Sequence, residues 1–174
     1  MARMFRVGVS RDFLDGDRNV WGDIGLARLD AAGVGWEYLA RDVTAFSPDD
    51  LAPYDGVLFA GPEVTAASFS ADVPRPLLLA RFGVGFDAVD LDACTRNAVA
   101  VTITPDGARR PVATAALTML LAVLHNLVAK DRLVREHRWS ARTGLMGTGL
   151  NGLTVGLLGV GNTGGELVRL LAPF

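Results

Sequence analysis

The chain has 174 residues, half of them apolar, and its 17 basic and 19 acidic residues leave a formal net charge of −2. Its basic residues are scattered arginines plus the single lysine Lys130, a composition that argues against a phosphate-tracking surface and therefore against nucleic-acid binding. The lone Cys94 excludes an intrachain disulfide, and the N-terminus has no apolar secretory core, so we expect a cytoplasmic protein.

The first hundred residues alternate short β-branched runs with helical stretches, the pattern of parallel strands joined by crossover helices. The runs predicted as strands are Phe5–Val9, Gly35–Leu39, Gly56–Phe59, Leu77–Arg81 and Val99–Ile103. Helical spacing over Ile24–Ala32 ends at Gly33. Ser47 and Asp90 are predicted as N-caps, the latter of a helix over Leu91–Asn97. Residues 1–104 are therefore predicted to form an α/β, flavodoxin-like parallel-sheet domain.

A second unit, residues 105–174, is predicted after the break at Thr104–Gly107. Pro111 suits the first turn of a long helix, because its missing N–H has no partner to lose there. The apolar run Val112–Leu124 has 13 residues, too few to cross a bilayer, so we expect a buried helix and no membrane association. The polar stretch Glu136–Asn151 is predicted to be an extended arm with Trp139 and Met146 as its apolar anchors.

A glycine-rich turn follows the arm. The predicted buried strand Leu153–Leu158 leads into Gly-x-Gly-x-x-Gly and then into a helix over Glu166–Leu171, the context typical of a dinucleotide fingerprint. In this interpretation Gly159 allows the tight turn, Gly161 allows backbone to approach a pyrophosphate, and Gly164 allows close helix packing. An ordinary glycine-bearing turn without a ligand is the alternative.

The predicted cofactor-binding set is completed by Asn162 and Thr163, because a helix N-terminus offers unpaired N–H groups and a positive dipole end to an anion. The expected cofactor is NAD or NADP. The residue that contacts the ribose is expected about 20 residues after the fingerprint, beyond Phe174, so the choice between the two stays open.

Other polar candidates receive no catalytic or metal-binding role. His125 is interpreted as a capping or packing residue, His137 as part of a solvated charged stretch, and Cys94 as a small packing residue. The spacing of Asp12, Asp15 and Asp17 is loosely similar to that of a metal site but lacks the acidic residue that closes a calcium loop.

Two further segments resemble the D-2-hydroxyacid dehydrogenase family, which includes phosphoglycerate dehydrogenase. Arg81–Leu91, with the sequence RFGVGFDAVDL, resembles the family's strand-end loop, and Met146–Gly152 resembles the arm that precedes its fingerprint strand. The similarity extends from about Pro76 to Phe174. The chain is therefore expected to be the N-terminal half of such a protein, with a substrate domain followed by the beginning of a Rossmann domain.

The resemblance implies that the backbone N–H groups of Val84 and Gly85 bind the substrate carboxylate. A glycine-flanked turn at the carboxyl end of a parallel strand is also where open α/β sheets bind ligands. The alternative is that Gly83 and Gly85 merely permit a positive φ.

Arg81 is a third candidate substrate-binding residue, because a guanidinium at the strand end is placed to assist anion binding. An ion pair with Asp87 or Asp90 that holds the loop is the other possibility.

The implied function is that of an NAD(P)-dependent oxidoreductase acting on the CH–OH group of a small D-2-hydroxy acid, or reducing the 2-oxo acid. Val112–Ala115 replaces the family's Val-Ala-Glu-His, and the family's catalytic Arg, Glu or Asp, and His lie beyond the fingerprint. No catalytic residue is therefore assigned, and the chain is expected to be truncated and inactive alone. The alternatives are a cofactor-sensing or regulatory protein on the same fold, and a flavodoxin-like binding module fused to a vestigial Rossmann strand.

A homodimer is also expected. A helix that is apolar almost all round must be covered on every side, and in the resembled family the helix and the arm pack against a second subunit. The predicted interface consists of the helix Val112–Leu127 and the arm Trp139–Asn151.

Overall fold

Residues 4–174 are described by the structure, a computed structural model of the chain. They divide into two units, the first ending at Pro105 and the second comprising Asp106–Phe174.

The first unit contains seven strands among the described residues. They are β1 (Arg6–Val9), β2 (Leu14–Asp15), β3 (Arg18–Asn19), β4 (Gly35–Tyr38), β5 (Gly56–Phe59), β6 (Leu78–Arg81) and β7 (Ala100–Thr102). All but β2 and β3 form one parallel sheet in the order β4-β1-β5-β6-β7. This is the flavodoxin-like order, so the predicted α/β fold and its five strands are confirmed. The short strands β2 and β3 form a small antiparallel hairpin, which the sequence did not predict.

Three short helices connect the strands: α1 (Ala27–Ala31), α2 (Pro48–Leu51) and α3 (Leu91–Arg96). The carboxylate of Asp90 accepts a hydrogen bond from the Ala93 N–H at 2.8 Å, which confirms that Asp90 is the N-cap of α3. Ser47 forms the predicted cap of α2 within a capping box. Helix α1 begins later than predicted because residues 23–25 form a turn, in which Gly25 donates to the Asp23 carboxylate at 2.8 Å.

The core of the first unit lies between the sheet and the segments that cover it. Phe59 and Leu79 on adjacent central strands have no exposed surface, and the Phe46 ring packs edge-on against Phe59 at a centroid distance of 5.4 Å. Cys94 belongs to the same cluster, and burial raises the pKa of its thiol. It is therefore a packing residue, as the sequence predicted, and burial disfavours its thiolate form.

The second unit consists of α4 (Arg109–Leu124), α5 (Leu127–Arg135), a 3₁₀ helix over Trp139–Leu145 and α6 (Asn162–Leu171). The prediction of one helix over Val112–Leu127 is wrong, because Asn126 adopts a left-handed conformation with φ of 52°. The axis turns by 60° at this residue. A non-glycine residue in this conformation cannot continue a right-handed helix.

No single helix among residues 4–174 is both long and apolar enough to cross a membrane. The bent pair of α4 and α5 reaches that length and composition only when the two helices are taken together.

The arm differs from the sequence prediction in two ways. Part of it is helical, and Trp139 and Met146 are exposed, so neither side chain anchors it to the described part of the chain. The arm is held instead through its backbone. The Thr148 N–H donates to the Leu124 carbonyl at 2.9 Å, and the Asn126 side chain donates to the Met146 carbonyl at 3.0 Å.

The predicted strand Leu153–Leu158 is not formed: the segment has no regular secondary structure and pairs with no other segment among residues 4–174. A strand is defined by hydrogen bonds to a neighbour, and β-branched, apolar composition alone does not supply that neighbour. The Leu158 side chain, predicted to be buried, is fully exposed. Helix α6 begins at Asn162, four residues earlier than predicted.

Candidate functional site

The first candidate site lies at the carboxyl edge of the parallel sheet, where β1, β5 and β6 end beside one another. The Ser10 N–H donates to the Leu58 carbonyl at 2.9 Å, and the Phe82 N–H donates to the Phe59 carbonyl at 2.7 Å. These bonds continue the sheet by one residue beyond β1 and β6. The loops that follow the three strands are therefore neighbours.

Arg81 folds back over the loop that follows β6. Its Nη1 donates to the Phe82 carbonyl, and a Cβ at Gly83 would collide with the guanidinium. Gly83 also has a φ of 148°, a conformation that disfavours other residues. In the described part of the chain, Arg81 forms no ion pair with Asp87 or Asp90, so that alternative is wrong.

Val84 and Gly85 lie at the exposed tip of this loop. Within residues 4–174 neither backbone N–H donates a hydrogen bond to an acceptor of the chain. Gly85 has no positive φ, so conformational freedom does not explain this glycine. The carboxylate of Asp87 lies 3.7 Å from the place where a Cβ on Gly85 would stand, and it is the nearest atom to that place. The loop therefore presents two available donors, an arginine and one carboxylate.

The segment after β1 closes one side of the same edge, a feature that the sequence did not reveal. The Asp12 carboxylate accepts hydrogen bonds from the Ser10 hydroxyl and from the Gly61 N–H, the latter at 2.6 Å. It thereby ties the loop after β1 to the loop after β5. Two aromatic rings pack on Phe82. The centroid of the Phe82 ring lies 5.3 Å from that of Phe13 and 5.7 Å from that of Trp21.

The second candidate site is the glycine turn before α6. Gly159 has a φ of 91°, and a Cβ on Gly164 would overlap the Gly159 carbonyl oxygen, so both positions require glycine. Gly161 is the N-cap of α6, and the space where its Cβ would stand is open. In the described residues, the N–H groups of Asn162, Thr163 and Gly164 have no acceptor in the chain. The turn therefore presents unpaired donors at the positive end of a helix.

Glu166 holds this helix against α4. Its buried carboxylate accepts from Arg110 Nη1 at 2.5 Å and from Arg169 Nη1 at 2.9 Å, and its side chain is only 8% exposed. The hydrogen bond from Arg110, reinforced by that from Arg169, lowers the pKa of Glu166. The sequence did not identify this pair, because the two residues are 56 positions apart.

The remaining polar candidates form no further site. His125 is the C-cap residue of α4. It lies against Gly147 of the arm, and a Cβ on Gly147 would overlap the His125 backbone. Among residues 4–174, no three His, Cys, Asp or Glu side chains lie close enough together to hold a metal ion.

A flavodoxin-like sheet with open donors at its carboxyl edge, followed by a glycine turn at a helix N-terminus, defines a class of α/β proteins that includes the nicotinamide-dependent dehydrogenases. Within this class, the family model for the catalytic domain of D-isomer specific 2-hydroxyacid dehydrogenases matches residues 35–160. The chain belongs to this family. The match begins well before Pro76, so the likeness in the first unit is more than architectural.

The chain is also similar in sequence to individual dehydrogenases and reductases. The chain is 36% identical over 120 residues to D-3-phosphoglycerate dehydrogenase of Mycobacterium tuberculosis, covering 69% of this chain and 22% of that protein. It is 32% identical over 108 residues to glyoxylate/hydroxypyruvate reductase A of Arabidopsis thaliana, covering 62% and 34%.

A solved structure extends the comparison to the whole chain. The NADPH-dependent glyoxylate/hydroxypyruvate reductase of Sinorhizobium meliloti, in complex with NADP and malonate, has a TM-score of 0.67 and 28% identity, covering 98% of this chain and 51% of that one. The chain thus spans about half the length of this solved relative. It spans a smaller share of the phosphoglycerate dehydrogenase and of the Arabidopsis reductase.

The Glu166 pair gives a pH-dependent prediction. A carboxyl with a lowered folded-state pKa stabilises the fold fully above its unfolded pKa of about 4.3 and loses this contribution as the pH falls through the folded pKa. We therefore expect Glu166→Gln to lower the thermal midpoint by a few degrees at pH 7, with the difference from the unsubstituted chain closing below about pH 4.

Thermal unfolding followed by circular dichroism at a series of pH values measures this difference. Glu136→Gln is the control, because it removes an exposed pair with Arg138, and such pairs contribute little. A Glu166→Gln difference that stays constant down to pH 3 would contradict the assignment.

Proposed function

We propose that this chain carries the substrate domain and the first part of the cofactor domain of an NAD(P)-dependent oxidoreductase. The reaction would interconvert the CH–OH group of a small D-2-hydroxy acid and the carbonyl of the 2-oxo acid. The observation that carries the proposal is the pair of unbonded N–H groups of Val84 and Gly85 at the carboxyl edge of the sheet. Membership of the D-2-hydroxyacid dehydrogenase family supports it.

The substrate carboxylate would accept hydrogen bonds from the two N–H groups. Successive backbone N–H groups form an anion-binding concavity, and hydrogen bonds to a charged acceptor are stronger than neutral ones. Arg81 adds a positive charge next to the loop, whereas Asp87 opposes binding of an anion. The loop needs no side chain to recognise the carboxylate, so it would position any 2-oxo or 2-hydroxy acid in the same way.

The glycine turn would hold the pyrophosphate of the dinucleotide. The open space at Gly161 permits close approach of a phosphate, and the N–H groups of Asn162, Thr163 and Gly164 would donate to its oxygens. When bound, the nicotinamide would supply or accept the hydride. The residues that the family resemblance implies for proton transfer are not among these 174, so we expect this chain alone to bind ligands without turnover.

The carboxylate site is tested by Gly85→Val. The β-branched side chain crowds the two N–H groups without conflict with the backbone, because Gly85 has no positive φ. We expect pyruvate binding to fall at least tenfold, by about 1.4 kcal/mol or more.

Calorimetric titration of the chain with pyruvate measures this effect. Ala71→Val is the control, because it adds similar bulk at an exposed position before β6. Equal affinity for pyruvate in the two variants would refute the carboxylate site, provided that their circular dichroism spectra match.

The cofactor site is tested by Gly161→Val. A side chain at this N-cap would occupy the open space that a pyrophosphate would otherwise approach. NADH binding, followed by nicotinamide fluorescence, should weaken by about a kcal/mol or more.

Gly165→Ala is the control for this variant. It also removes a glycine from α6, at a position where a Cβ meets nothing within 4 Å. Retention of NADH affinity in Gly161→Val would remove the basis for the assignment.

We further propose a symmetric homodimer built on the second unit. Apolar side chains of α4, α5 and the arm are exposed: Val112, Met119, Val123, Leu127, Val128, Val134, Trp139 and Met146. An apolar groove of about 420 Å³ between α5 and the arm lies within this set, bordered by Val134, Trp139 and Met146. Exposed apolar side chains grouped on neighbouring elements favour an interaction site, and a homodimer buries the same surface on both subunits.

The dimer is tested by light scattering. The unsubstituted chain should have twice its monomer mass of 18.4 kDa, and Val128→Glu should shift it to the monomer, because burial of an unpaired charge opposes association. Leu77→Glu, at an exposed apolar position of the first unit, should leave the dimer intact. A monomeric unsubstituted chain would overturn this proposal.

A further inference from the structure

An exposed tryptophan lies beside the proposed carboxylate site. The Phe82 ring, in the loop after β6, contacts Phe13 on one side and Trp21 on the other. Phe13 is fully buried and fills the core, whereas the Trp21 side chain is 57% exposed. The indole therefore packs on Phe82 and still leaves most of its surface accessible at the edge of the sheet.

The two unbonded N–H groups are flanked by apolar side chains. Phe82 is two residues from Val84, so their Cα atoms are at most about 7 Å apart and the ring that carries Trp21 belongs to the same loop as the donors. On the other side of the donors lies Phe86, which is 44% exposed, and Val84 itself is 38% exposed. A carboxylate on the loop would therefore have exposed apolar side chains of the same loop near it, together with the charged groups of Arg81 and Asp87.

The position of Trp21 is specified by the hairpin of β2 and β3. The Trp21 N–H donates to the Asn19 side chain at 2.8 Å, and the Val20 N–H donates to the Phe13 carbonyl at 2.9 Å. Asp12 ties the start of this segment to Gly61. The Trp21 backbone is thus fixed by hydrogen bonds and its indole rests on Phe82, an arrangement present before any ligand arrives, which lowers the entropic cost of a contact with it.

We propose that Trp21 is a specificity-determining residue that contacts the side chain of the substrate. The substrate class is a 2-oxo or 2-hydroxy acid with an apolar side chain, either aryl or branched alkyl. This inference depends on the proposed function, because the carboxylate bound by Val84 and Gly85 places the substrate side chain near the indole. An aromatic face and apolar neighbours favour such a side chain over hydrogen or a second carboxylate.

One charged residue points to a competing specificity. Arg11 lies in the same segment, is half-buried, and forms no ion pair or side-chain hydrogen bond in the described part of the chain. If it faced the ligand, it would favour a dicarboxylic acid. Trp21, Val84 and Phe86 are exposed apolar side chains of the loop after β6 or of the segment that packs on it. In the described residues no hydrogen bond or ion pair joins Arg11 to that loop, and for that reason we favour the apolar class.

The experiment compares four acids on the 174-residue chain by calorimetry: pyruvate, 4-methyl-2-oxopentanoate, phenylpyruvate and 2-oxoglutarate. We expect the second and third to bind about tenfold more tightly than pyruvate, with 2-oxoglutarate no tighter than pyruvate. Trp21→Ala should remove this advantage and leave the pyruvate affinity unchanged. Leu77→Ala, which removes an exposed apolar side chain at the amino end of β6, should alter neither.

A second measurement does not depend on a substitution. The chain has three tryptophans, and in nitrogen–proton correlation spectra the Trp21 indole signal should shift on addition of phenylpyruvate while those of Trp36 and Trp139 stay in place. An unshifted Trp21 signal at saturation would overturn the proposal.

The remaining outcomes separate this inference from the proposed function. If Gly85→Val abolishes pyruvate binding but the unsubstituted chain shows no preference among the four acids, the role of Trp21 is overturned. The carboxylate site is then left intact. Tighter binding of 2-oxoglutarate than of phenylpyruvate would also overturn the apolar class. Failure of all four acids to bind would overturn both the role of Trp21 and the carboxylate site.

Discussion

The parallel alignment of β1, β5 and β6 is the constraint on which the first unit depends. Because the three strands run in the same direction, the loops that follow them all emerge at one edge of the sheet. An antiparallel neighbour would send the loop after β6 to the opposite edge. The loop after β6, which contains Val84 and Gly85, reaches the segment after β1 through Phe82 only because of this alignment.

The same edge is made specific by contacts between residues far apart in the chain. Asp12 bonds to Gly61 across 49 positions, and Phe82 lies between two aromatic side chains of the segment after β1. The N–H donors belong to the backbone of one loop, whereas the aromatic side chains at the edge come from two segments that are distant in the chain. In the proposed function, carboxylate binding and selection of the substrate side chain would fall to different parts of this edge.

The second unit forms its glycine turn without a β-ladder. The close approach of Gly164 to the Gly159 carbonyl and the N-cap at Gly161 are local geometry. The Glu166 carboxylate then holds α6 against α4 through Arg110. Donors at the helix N-terminus are therefore oriented even though the segment before the turn has no strand partner among the described residues.

The sequence by itself determined the features that depend on nearby residues. The five strands of the sheet, the caps at Ser47 and Asp90 and the glycine requirement at Gly164 follow from local periodicity, short side-chain reach and backbone sterics. The tertiary structure alone decided that Arg81 bonds to its own loop, that Trp21 contacts Phe82, and that Leu153–Leu158 has no strand partner among residues 4–174. The hydrophobic pattern also did not predict the helix break at Asn126. An apolar run gives no sign that a residue after it adopts the left-handed backbone conformation. Each of these outcomes depends on partners or backbone conformations that periodicity does not encode, since a hydrophobic pattern specifies which face is buried but not which distant residue covers it.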